Sequence, residues 1–145
     1  MKMENWNECR ERSEHAVREA GCPVWIKDER TGRCYALPYG ELVVGRKDDV
    51  ANDVPVVTED LFMSRRHAVI AVRRDLLGAT EVLLRPYSAE VNPVFVLTET
   101  EEGGTPEYRP LGENTEFELY HLSRFILGKS LFTLHYASEN GSERS

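Results

Sequence analysis

From Cys22 to Tyr136 the chain alternates short apolar runs with polar clusters suited to turns. CPVWIKD, RCYALP, GELVVG, RHAVIAV, TEVLLR, PVFVLTET, TEFELY, SRFILG and SLFTLHY are each of strand length, and most are rich in the β-branched and aromatic residues that fit a pleated surface. Alternation within the runs agrees. In TEFELY, Phe117 and Leu119 share one side and Glu116 and Glu118 the other. In SLFTLHY, Phe132, Leu134 and Tyr136 oppose Leu131, Thr133 and His135, a strand that can be covered on both faces. Turn clusters separate the runs: DERTG at 28–32, DLLG at 75–78, EEGGTP at 101–106 and LGEN at 111–114. Nine or ten strands in about 115 residues predict an all-β sandwich or barrel.

The two ends carry a different pattern. Residues 1–20 are charged and free of Gly and Pro, with Trp6, Cys9, Ser13, Ala16, Val17 and Ala20 near helical spacing. This predicts an N-terminal extension bearing a weak amphipathic helix. The β domain is expected over 21–137, followed by a polar, disordered tail at 138–145. Two connections exceed what a hairpin needs. One runs from Arg46 to Ser64 with a short strand at VPVV, and the other is PYSAEVNP at 86–93. Long polar loops on a rigid β scaffold are where binding residues concentrate.

Composition narrows the function classes. A chain of 145 residues suits one domain with one core. Its 41% hydrophobic and 30% charged residues argue against disorder throughout. A net charge of −7 and a pI near 5.2 repel a long phosphate backbone, so general nucleic-acid binding is not expected. Local basicity is separate: Arg65, Arg66, Arg73 and Arg74 cluster, leaving room for a small bound anion. Three cysteines, Cys9, Cys22 and Cys34, without C-x-x-C spacing support neither a disulfide framework nor a zinc site. No secretory pattern or run of roughly 18 apolar residues is present, which makes cytoplasmic residence without a membrane partner the expectation.

The chemistry concentrates in LFMSRRHAVI, residues 61–70. A hydrolase would need Ser64 and His67 to face one another. Three positions apart at a strand start they are not forced to do so, and neither a Gly-x-Ser-x-Gly elbow nor a placed acid accompanies them. The expectation is therefore a non-enzyme. His15, His67, His121 and His135 are far apart, and DDVAND lacks the glycine and closing glutamate of an EF-hand loop, so no metal or other cofactor is expected. Anion binding remains. Arginine presents a planar fork of donors that matches phosphate oxygens, and a serine hydroxyl can complete the cradle. VVGR at 43–46 ends one strand and MSRRHA at 63–68 precedes another.

Gly45-Arg46, Asn52-Asp53-Val54, Ser64-Arg65-Arg66-His67-Ala68, and Asn92 ahead of Val94-Phe95-Val96 together resemble the forkhead-associated (FHA) domain pattern. Leu111 before a turn and the closing FILGKSLFTLHY extend the resemblance over roughly residues 22–136. It implies an eleven-stranded β-sandwich whose loops at one end bind phosphothreonine in a partner protein, itself the product of a serine/threonine kinase. It further implies that Arg46, Ser64 and Arg65 contact the phosphate or peptide and that Asn92 fixes the peptide backbone. Gly45 and His67 would support the pocket, and Arg66 would point to solvent.

Glu90, Pro93 and Val94 depart from the family pattern, where serine, glycine and threonine are usual. A carboxylate near a phosphate pocket is repulsive if it points inward. A second reading therefore stays open, a phosphate-independent interaction scaffold with a degenerate pocket. Asp48, Asp49, Asp53, Glu59 and Asp60 would, as a rim, favour basic residues beside the phosphothreonine.

Overall fold

The computed structural model describes residues 22–49, 51–98 and 105–137. The N-terminal extension and the C-terminal tail expected from sequence lie outside them. Eleven strands follow in order: β1 (Val24–Asp28), β2 (Cys34–Leu37), β3 (Gly40–Arg46), β4 (Val54–Val56), β5 (Ala68–Arg74), β6 (Thr80–Pro86), β7 (Val94–Thr98), β8 (Glu107–Pro110), β9 (Phe117–Leu119), β10 (Arg124–Leu127) and β11 (Ser130–Tyr136). One sheet has the order β2-β1-β11-β10-β7-β8 and the other β4-β3-β5-β6-β9. All pairings are antiparallel except β3 with β4, which run parallel.

Alternation decides which side of each strand is buried. Val24 and Ile26 of β1, Leu42 and Val44 of β3, Ile70 and Val72 of β5, Val82 and Leu84 of β6, and Phe132 and Leu134 of β11 all point between the sheets. Each such side chain contributes about 1.5–3 kcal/mol on burial. Phe125 and Phe132, opposed in register, stack with ring centroids 5.5 Å apart. Phe117 and Leu119 turn inward from β9 while Glu116 and Glu118 are exposed, as their spacing predicts. Trp25 forms a smaller cluster with Cys22 and Ala137 and stacks on His135 at 4.1 Å.

Two findings differ from the sequence expectations. β8 has no counterpart among the apolar runs: all four of its residues are exposed, and it forms an edge through backbone pairing with β7. An edge strand with no buried face leaves no hydrophobic period to read. Cys34 is disulfide-bonded, whereas Cys22 is a free buried thiol. The cysteine count and spacing gave no support for a disulfide, and Cys34 departs from that, because cysteine pairing depends on proximity in the fold and not on sequence spacing.

Among the described residues no helix is long and apolar enough to cross a membrane.

Candidate functional site

Strand register gathers the long loops. Val44 pairs with Ala68, Ala68 with Pro86, and Val94 with Leu127. The chain after β3, the chain before β5, the β6–β7 connection and the β10–β11 turn therefore meet at one end of the sandwich. Arg46, Ser64, Arg65, His67 and Asn92 all lie at that end.

Gly45 is a steric requirement. A Cβ there would collide with the Arg65 carbonyl oxygen and sit 2.5 Å from its carbon and 2.9 Å from Arg66 Cα. Strand β3 thus passes directly beneath the loop carrying the arginines. The next residue is tied to that loop twice and once to the segment that follows β3. The Arg46 amide donates to the Ser64 carbonyl at 3.0 Å, its Nε donates to the Met63 carbonyl at 3.0 Å, and its Nη1 lies 3.6 Å from Asp48 Oδ2. With Nε committed to Met63, the ion pair of Arg46 with Asp48 is made through Nη1.

Ser64 and His67 do not form a nucleophile–base pair. The Ser64 amide, not its hydroxyl, donates to His67 Nδ1 at 2.9 Å, and His67 Nε2 lies 3.2 Å from the Pro93 carbonyl. A ring that accepts at Nδ1 carries its proton on Nε2, so the tautomer follows from the two partners. Burial lowers the imidazole pKa below its ordinary value, against the opposing pull of the Pro93 and Asn92 carbonyls and of Asp60. The His67 backbone donates to the Val44 carbonyl and accepts from the Tyr87 amide, joining β3 to the β6–β7 connection. The Ser64 hydroxyl accepts from the Asn92 amide at 3.3 Å.

Asn92 is also turned into the loops. Its Nδ2 donates to the Phe62 carbonyl at 2.6 Å, and among the described residues its Oδ1 carries no hydrogen bond. Asn52 does comparable work on the other side, donating from Nδ2 to the Arg65 carbonyl at 2.6 Å. Arg65 itself is largely exposed, with Nε 4.0 Å from Asp48 Oδ2. Arg66 is exposed as well. Glu90 is exposed, and its Oε1 accepts from the Ser88 hydroxyl.

Asp53 and Asp60 do not join Asp48 in a rim, which corrects that expectation for those two residues. Asp48 alone among them meets the arginines. Asp53 Oδ2 accepts from the Val43 amide at 2.8 Å and so secures β3. Asp60 is buried: its Oδ1 accepts from the Phe62 amide, and its Oδ2 from the Lys129 amide at 2.7 Å and the Ser130 hydroxyl at 2.6 Å. Burial by itself would raise the Asp60 pKa, but those three donors outweigh it and hold the carboxyl below its ordinary range. Asp60 and Gly128 are contributors that sequence reading did not find. Gly128, at φ 67°, presses its Cα side against Phe62 and Met63, where a Cβ would lie 2.5 Å from the Met63 nitrogen. The Gly-Lys pair between two apolar runs signals a tight turn, but nothing local says which loop it supports.

Two packed sheets in these strand orders make a β-sandwich with its long loops gathered at one end. Its fold is that of the forkhead-associated domains. The FHA domain of human APLF, solved with an XRCC1 bisphospho peptide, is similar at 23% identity with a TM-score of 0.58, over 78% of this chain and 97% of that one. The FHA domain of CT664 from Chlamydia trachomatis is 26% identical with a TM-score of 0.54, over 78% and 96%. The FhaA FHA domain, solved with the intracellular domain of Rv3910, is 25% identical with a TM-score of 0.51, over 77% and 99%. No family model and no curated protein matches the sequence.

Proposed function

We propose that this chain is a phosphothreonine-peptide binding module that mediates phosphorylation-dependent protein–protein interaction, and that it is not an enzyme. One observation carries the reading. Arg46, from the end of β3, and Arg65, from the loop before β5, bring their guanidiniums to a single anionic oxygen at the end of the sandwich where the loops meet. Two arginines from separate segments are suited to three phosphate oxygens, and Ser64, next to Arg65 in sequence and bonded through its carbonyl to the Arg46 amide, would add a hydroxyl partner. Asn92, with Oδ1 uncommitted, would accept from a backbone N–H of the bound peptide. His67 and Gly45 would act through the loops they support. The solved APLF domain with its phosphorylated peptide is a precedent for this mode of binding on the same fold. The partner would be a threonine-phosphorylated protein, the mark being written by a serine/threonine kinase.

The test is fluorescence anisotropy with a degenerate phosphothreonine peptide library and its unphosphorylated twin. Micromolar binding, about −8 kcal/mol, is expected for the phosphorylated peptides alone. Arg46→Ala should abolish it. Equal binding of both libraries, unchanged in that variant, would replace this reading with the phosphate-independent scaffold.

A further inference from the structure

Asp48 stands where a ligand would have to go. Its Oδ2 lies 3.6 Å from Arg46 Nη1 and 4.0 Å from Arg65 Nε, while its Oδ1 accepts from the Asp49 amide. The loop's own backbone thus turns one carboxylate oxygen toward both guanidiniums. We propose that Asp48 is a built-in competitor for the anion grip, which a phosphate must displace and which makes the site selective for a dianion. This rests on the phosphopeptide reading above and concerns how that same site is regulated.

The selectivity follows from the chemistry of the exchange. Asp48 offers one charge at distances longer than the roughly 2.7–2.9 Å of a charge-assisted hydrogen bond. A phosphothreonine brings a charge of about −1.5 to −2 and three strong acceptor oxygens, so it gains short bonds that Asp48 does not make. A glutamate in a peptide brings the same single charge as the residue it must displace. Replacing one carboxylate with another gains little and still incurs the cost of ordering the peptide. Asp48 therefore penalises acidic residues and leaves phosphate as the ligand able to win the exchange.

The experiment compares wild type with Asp48→Asn, using the labelled phosphothreonine library and a second library carrying glutamate in place of phosphothreonine. Glu59→Gln serves as a control, since Glu59 is an exposed acid on the loop before β5 and its change alters net charge by the same amount. Asp48→Asn is expected to tighten phosphopeptide binding about fivefold, the scale of one surface ion pair, and to make glutamate-peptide binding detectable. Glu59→Gln should match wild type. The competitor role is overturned if Asp48→Asn binds as wild type does, or if Glu59→Gln tightens binding equally, which would assign the effect to net charge. Arg46→Ala separates the two levels: loss of phosphate-dependent binding there, with Asp48→Asn unchanged, keeps the phosphopeptide reading and discards the competitor. If neither wild type nor Asp48→Asn distinguishes phosphorylated from unphosphorylated peptide, both fall.

Discussion

At the scale of single residues, the loop end is held by atoms with no spare room and few spare hydrogen bonds. Gly45 is the sharpest case, because its missing Cβ is what allows Arg65 and Arg66 to lie across β3. Gly45→Ala is expected to lower stability by about 2–3 kcal/mol through overpacking, seen as a reduced urea midpoint, with phosphopeptide binding weakened alongside. Asp60 is the electrostatic counterpart. Asp60→Ala would strand the Phe62 and Lys129 amides and the Ser130 hydroxyl, a loss of about 3 kcal/mol by the same measurement. The two residues differ in legibility. Gly45-Arg46 could be singled out because it ends an apolar run before a long loop. Asp60 could not, since two of the three groups that define its role stand about seventy positions further along the chain.

Elements show the same division. Most strands could be read from their apolar period, because one face of each enters the core. β8 could not, having no buried face, whereas β4 matches the short strand expected at VPVV, three residues long with Pro55 at its centre. The β10–β11 hairpin was readable as two strands joined by Gly128-Lys129, but its contact with the loop before β5 was not. That contact includes Lys129 Nζ, 4.2 Å from the centre of the exposed Phe62 ring. Gly128→Ala meets both a left-handed backbone, costing about 1–2 kcal/mol, and a clash with Met63. We expect a lower melting temperature and weaker phosphopeptide binding, although the hairpin itself touches none of the proposed phosphate contacts. Full binding in a destabilised variant would show that the hairpin supports the fold but does not position the grip.

For the molecule as a whole, His67 and Asp60 make stability depend on pH in two separate windows. The folded His67 pKa lies below its ordinary 6.5, so the unfolded chain binds more protons between the two values. Its contribution is complete above 6.5 and is lost as pH falls through the depressed folded value. The folded Asp60 pKa lies below its ordinary 3.8, so its contribution is present above 3.8 and is lost as pH falls further, through the folded value. Urea denaturation across a pH series should therefore show two successive declines on acidification. His67→Gln is expected to remove the upper decline and Asp60→Asn the lower.

The sequence by itself determined that the chain is all-β, a sandwich or barrel, and where most of its strands lie, because burial of one strand face imposes a period of two that any reader can find. The choice of a sandwich came from the resemblance to the FHA pattern. The sequence also marked Arg46, Ser64 and Arg65 through the donors they carry and the long loops that hold them, while His67 and Asn92 took their roles from the resemblance to the FHA pattern. What only the tertiary structure decided is which groups those residues meet. Asp48 faces the arginines, Asp53 secures β3, and Asp60 is buried beneath the loop, although all three read alike as acids in one polar segment. The reason is physical: a hydrogen bond or ion pair is fixed by distance in the folded chain, and sheet pairing brings together segments that sequence keeps far apart.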